Sequence, residues 1–137
     1  SVDFESMNLS SDLKNLKKKV DAGAEFIVTQ LFYDNQKYFE FVEKCRSIGI
    51  KIPIIPGLKP ITTKKHLTFI PKFFHVNFPE ELSNELEKCK TNHEIKTVGE
   101  EWSVKQCKEL IKSKVPALHF YTMGRGVAIK NIARKIF

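Results

Sequence analysis

Gln30 interrupts an otherwise apolar run, Phe26-Ile27-Val28-Thr29-Gln30-Leu31-Phe32-Tyr33. A glutamine amide both donates and accepts hydrogen bonds, which suits a heterocycle whose edge alternates donors with acceptors. Buried without a partner, it would cost about 1–3 kcal/mol. It must therefore bond to neighbouring backbone or to a ligand, and spacing alone leaves both open. Gly124-Arg125-Gly126 follows another apolar run, late in the chain, and precedes a helical pattern, where free backbone amides attract anions. A tight turn carrying a solvated arginine is the competing reading. Asp12, Asn15 and Lys19 recur at i, i+3, i+7 and share one stripe of a helix beside its apolar face. That stripe could meet a polar ligand or simply stay wet.

Other chemistry is sparse. His66, His75, His93 and His119 lack metal-ligand spacing, as do Cys45, Cys89 and Cys107, so no metal site is expected. No serine elbow, Cys-His pair or carboxylate cluster stands out, so the chain is expected to hold no general acid. The odd cysteine count reads as free thiols in a reducing compartment, the cytoplasm. The opening SVDFESMNLSS has no basic start before an apolar core, which argues against a signal peptide. No stretch approaches the roughly 20 apolar residues of a membrane span. The net charge of +7 comes from lysines scattered among glutamates. That pattern favours solvation, or a small anionic ligand, over nucleic acid.

The elements that must position these residues follow from periodicity. Ser10, Ser11 and Asp12 offer N-caps for a helix striped by Leu13, Leu16 and Val20, with Gly23 as its C-cap. The run through Gln30 is too continuously apolar for a half-exposed strand and fits a parallel strand buried on both faces. Asp34-Asn35 opens a helix to about Ile48, ended by Gly49. A second strand covers about Ile52 to Ile55, and Pro56-Gly57 is expected to break it. Helical stretches follow near residues 63–70, 80–89 and 92–113. The third strand spans Pro116 to Thr122, before a last helix with Val127, Ile129, Ile132 and Ile136.

One helix followed by three strand-helix units indicates a parallel sheet with right-handed crossovers. It is read as one domain over residues 1–137. A doubly wound sheet and a (β/α)₈ barrel both satisfy this order. A whole barrel takes about 250 residues, so in that case the chain supplies part of one. Ligands in either architecture bind beyond the carboxyl ends of the strands, where Gln30, the 62–66 segment and Arg125 fall.

Taken together, DLKNLKKKVDAGAEFIVTQLFYD, IPIIPGLKPI and PALHFYTMGR resemble the methylenetetrahydrofolate reductase family. The resemblance implies a partial α/β TIM barrel: the last three strand-helix units of a (β/α)₈ fold, preceded by one helix. It implies reduction of 5,10-methylenetetrahydrofolate to 5-methyltetrahydrofolate, with hydride passing from NADH or NADPH through FAD. It places Gln30 on the glutamine that holds the pterin and Arg125 on the arginine that binds the benzoyl-glutamate portion. Gly124 replaces the asparagine that often precedes that arginine. His66 falls where some relatives carry a folate-contacting glutamine. Asp12, Asn15, Lys18 and Lys19 match positions that contact FAD. The family's proton-donating glutamate lies on earlier strands, so no catalytic residue is expected here and the chain alone should be inactive. Homo-oligomerisation is expected. A non-catalytic half-barrel that docks a partner across its open strands is the alternative, and a different phosphate-binding barrel piece is a third.

Overall fold

The computed structural model describes residues 13–121 and 127–137, with the backbone of Ser6–Met7. Its elements run β1 (Ser6–Met7), α1 (Leu13–Asp21), β2 (Ile27–Leu31), α2 (Asn35–Ser47), β3 (Ile54–Leu58), α3 (Lys64–Phe74), α4 (Glu80–Glu87), α5 (Asn92–Lys112), β4 (His119–Phe120) and α6 (Val127–Ile136). The strands form one sheet in the order β1-β2-β3-β4, and each neighbouring pair is parallel. Spatial order thus equals chain order. The reversal that defines a doubly wound sheet is absent among the described strands.

Local chemistry sets the helix ends. Asp34 caps α2 by accepting from the Gln36 amide at 3.0 Å, and Thr91 caps α5 by accepting from the Glu94 amide at 3.2 Å. Gly23 and Gly49 take φ values of +116° and +88° just beyond α1 and α2, a left-handed conformation that glycine adopts without a steric penalty.

Four expectations are corrected. A strand, β1, precedes α1 where only a helix was read; two residues leave no periodic signal. Helix α3 continues through Pro71 to Phe74, although proline removes a helical hydrogen bond. Packing of Ile70, Phe69 and Phe74 in an apolar cluster carries the chain past it. Strand β4 spans only His119–Phe120, shorter than the apolar run around it.

The fourth correction concerns β3, which runs through Pro56 and Gly57 instead of stopping there. The β2–β3 register pairs Val28 with Ile55 and then Leu31 with Gly57, so three steps on β2 oppose two on β3. At this irregularity the Gly57 amide donates to the Thr29 hydroxyl at 2.9 Å, and proline is tolerated where the ladder is already broken. A Cβ at Gly57 would stand 2.3 Å from the Thr29 carbonyl oxygen and 2.6 Å from the Tyr121 ring. Only glycine lets these segments approach so closely.

Two apolar clusters hold the elements. In one, Ile27, Ile54 and Leu58 pack with Leu16, Phe41, Cys45, Cys107, Leu110 and Ile132 from the helices. In the other, beyond the strand ends, Leu31, Tyr33 and Ile61 pack with Ile70, Leu82, Leu86 and Ile95. Burying each Leu, Ile or Phe contributes about 1.5–3 kcal/mol. Gly99 lets α5 touch the segment after β3: a Cβ there would lie 1.9 Å from the Ile61 carbonyl oxygen.

Candidate functional site at the strand carboxyl ends

The segments leaving β2 and β3 are tied together through backbone carbonyls. The Tyr33 hydroxyl donates to the Lys59 carbonyl at 2.8 Å. The Trp102 indole donates to the Tyr33 carbonyl at 2.8 Å, and the Gln106 amide to the Phe32 carbonyl at 3.2 Å. Gln106 also donates to Asn35 Oδ1 at 3.0 Å, while Asn35 donates to the Gln106 carbonyl at 3.1 Å and to Glu109 at 2.8 Å. The Tyr121 hydroxyl closes the array by donating to the Thr29 carbonyl at 2.8 Å. Burial pushes the Tyr33 phenol far above its ordinary range, so it stays a neutral donor.

Gln30 stands half-buried at this rim. Its Nε2 donates to the Phe74 carbonyl at the end of α3, 3.2 Å away. Neighbouring backbone therefore satisfies part of the amide, one of the two readings left open by spacing. The other part is uncommitted: among the described residues Gln30 makes no second hydrogen bond, which leaves one N–H and the Oε1 lone pairs. Gln30 lines a cleft of about 320 Å³ with Tyr33, Asp34, Lys37, His75 and Asn77.

His66 sits in the first turn of α3, where its Nδ1 accepts from the Thr62 amide at 3.0 Å. Burial, assisted by the nearby Lys59 charge, lowers its pKa to about 4, so the ring is neutral near pH 7. With Nδ1 engaged as acceptor, the proton resides on Nε2. Asn15, Lys18 and Lys19 are exposed on α1, whose Leu16 is buried. Asp12 and Arg125 lie outside the described residues, as does the Gly124-Gly126 turn. Gln30 and His66 thus hang from the exits of successive strands, and the α1 residues occupy a separate element.

Sequence reasoning missed Lys59, which is only 5% exposed. A lysine enclosed between Ile54-Ile55-Pro56-Gly57-Leu58 and Pro60-Ile61 was the available signal. Desolvation lowers its pKa, as burial does for any ammonium. No group of three or more His, Cys, Asp or Glu suited to a metal ion occurs among the described residues. None of their helices is long and apolar enough to cross a membrane.

The chain is 45% identical to methylenetetrahydrofolate reductase (NADH) 1 of Arabidopsis thaliana over 115 residues, covering 83% of this chain and 19% of that protein. It is 38% identical over 130 residues to methylenetetrahydrofolate reductase 1 of Schizosaccharomyces pombe, covering 94% and 22%. Against 5,10-methylenetetrahydrofolate reductase of Salmonella typhimurium the identity is 36% over 122 residues, covering 88% and 41%. The chain thus spans about a fifth of the two eukaryotic relatives. Among solved structures it resembles a Clostridium thermocellum protein described as binding two copies of 5-methyl-5,6,7,8-tetrahydrofolic acid. The TM-score is 0.58 at 20% identity, over 90% of this chain and 46% of that one. The model of the methylenetetrahydrofolate reductase family matches residues 1–136, and with these relatives it shows that the chain belongs to that family.

Proposed function

We propose that this chain forms part of the folate-binding wall of a reductase that converts 5,10-methylenetetrahydrofolate to 5-methyltetrahydrofolate at the expense of NADH or NADPH. The observation that carries the reading is Gln30, anchored on one side by the Phe74 carbonyl and uncommitted on the other. Its free N–H and carbonyl match the alternating edge of a pterin, and its anchored side fixes how that edge is presented. Positioning of this kind supplies several kcal/mol of rate in enzymes generally. Arg125 takes the benzoyl-glutamate portion and His66 a further folate contact, through Nε2–H. Family membership and the folate named for the structural neighbour support these roles.

The sequential parallel sheet supports reading residues 1–137 as one partial domain, an arc of a (β/α)₈ barrel. Right-handed crossovers in unbroken order stack every helix on one side, as a barrel requires. The donor set on α1 fits a flavin. The exposed Asn15 amide and the Lys18 and Lys19 ammonium groups, with Asp12, offer hydrogen bonds and positive charge to a ribityl-phosphate chain. FAD, when bound, relays hydride from the nicotinamide to the folate. The residues described hold and orient; none supplies a proton to the reaction. Homo-oligomerisation and a cytoplasmic location belong to the same reading.

Titration of the wild-type protein and of Gln30→Ala with 5-methyltetrahydrofolate tests the role of Gln30. The expected result is binding weakened at least tenfold, about 1.4 kcal/mol, with the circular-dichroism spectrum unchanged. Equal affinities would overturn it. The 137-residue chain by itself is expected to show no NADH-dependent turnover, and measurable turnover would refute the assignment of the acid to other strands.

A further inference from the structure

Two charged residues are classed as buried among those described, Lys59 and Glu100. Glu100 is accounted for: Asn131 donates to its carboxylate at 3.2 Å and the Lys96 ammonium lies 3.8 Å away. The Lys59 ammonium has no carboxylate and no hydrogen-bond acceptor among the described residues; only its backbone carbonyl is bonded, to Tyr33. Every fully enclosed side-chain nitrogen or oxygen among the described residues has a hydrogen-bond partner, so the unpartnered ammonium reaches solvent at its tip while the rest of the residue is buried. A lysine with an enclosed stem and an open tip is placed to meet a soluble anion.

The placement of Lys59 is specific. Ile54 and Leu58 pack into the cluster with Leu110 and Ile132, so strand alternation sends Lys59 to the opposite face, with Ile55 and Gly57. Its carbonyl is held by Tyr33 at 2.8 Å, which fixes the backbone from which the side chain departs. His66 is near enough to feel its charge and presents Nε2–H, because Nδ1 accepts from Thr62. The register puts Gln30 beside Pro56-Gly57. Lys59 therefore starts roughly 10 Å from Gln30, from a rise of about 3.3 Å per residue and a strand spacing of about 4.8 Å. That separation suits two ends of one ligand.

We propose that Lys59 and the Nε2–H of His66 form an oxyanion subsite, one strand over from Gln30, that takes a tail carboxylate of the ligand whose heterocycle Gln30 holds. The subsite adds a second basic contact to that of Arg125, and it rests on the folate reading above. Lysine serves here as a point charge that tolerates several carboxylate orientations.

The test is equilibrium titration of the protein with 5-methyltetrahydrofolate and with an analogue lacking the glutamyl carboxylates. Wild type should prefer the carboxylate-bearing ligand. Lys59→Met, which keeps the stem, should reduce that preference at least fivefold without changing the analogue's affinity, and Lys59→Arg should restore most of it. The same preference in wild type and Lys59→Met overturns the subsite while leaving the folate reading intact. If wild type binds neither ligand, the folate reading fails and inorganic phosphate becomes the probe. A phosphate-dependent rise in unfolding temperature at constant ionic strength, seen in wild type and lost in Lys59→Met, keeps the oxyanion subsite. An identical response of the two proteins overturns it.

Discussion

On the helix-backed side of the sheet, Ile54 and Leu58 pack against α5 and α6, and nearby polar groups turn their donors onto backbone. The Tyr38 hydroxyl bonds the Ile54 carbonyl at 2.6 Å, and Arg46 Nη1 bonds the carbonyls of Ile50 and Ile52, each at 2.8 Å. At the carboxyl-end rim of the same strands, Gln30, Lys59 and His66 keep polar capacity that no described residue uses. Both regions are closely packed, so looseness does not distinguish them. The core closes its hydrogen-bond account internally, whereas the rim leaves groups open at chosen points. Buried polar groups are normally satisfied, and those of the described residues are; the capacity left open reaches solvent and lies at the place where α/β proteins bind ligands.

Substitutions can break or sharpen this contrast. The largest effect is expected where the regions meet. Gly99→Ala puts a Cβ into the Ile61 carbonyl and should cost more than about 3 kcal/mol, read as collapse of the thermal transition. A melting temperature within a few degrees of wild type would show that α5 can move away. Next, Leu110→Ala in the core should cost about 2–5 kcal/mol in urea unfolding, with folate affinity unchanged in the folded fraction; loss of affinity would mean the core tunes the rim.

Acid should act through the rim. The folded pKa of His66, about 4, lies below the ordinary value of about 6.5. Its contribution is therefore fully present above pH 6.5 and lost as pH falls from there toward 4. The loss amounts to at most about 3 kcal/mol. Denaturant melts across that window should steepen less for His66→Gln, and an identical pH dependence would remove His66 as the cause. The smallest effect has the opposite sign. Lys59→Met should stabilise the fold by up to about 1 kcal/mol, because it removes a partly desolvated ammonium whose charged form burial disfavours. A destabilised variant would reveal an interaction of the ammonium that supports the fold.

The sequence was most informative where a pattern was long or a cap was explicit. Helix α5, expected over 92–113, spans Asn92–Lys112, and α2 begins on the Asp34 cap as read. Failures arose where tertiary contacts outweighed local signals. Proline normally ends a strand or a helix, yet the Thr29 hydroxyl and the register shift accommodate Pro56, and cluster packing carries α3 past Pro71. At the candidate site, Gln30 stood out in the sequence because an amide breaks an apolar run, and its half-buried rim position follows from that strand. The burial of Lys59 did not stand out, because lysines abound in this chain and only the fold distinguishes a buried one from a solvated one.

The array that joins Tyr33, Trp102 and Gln106 to the carbonyls of Lys59, Tyr33 and Phe32 has a consequence for how such a site can change. Every residue type supplies a backbone carbonyl, so these bonds ignore which side chain occupies positions 32 and 59. In the proposed site, shape is held by one set of atoms and selectivity would be held by another. Side chains at positions 30, 59 and 66 could then be exchanged, by evolution or by design, to suit a different ligand while the frame that presents them stays in place.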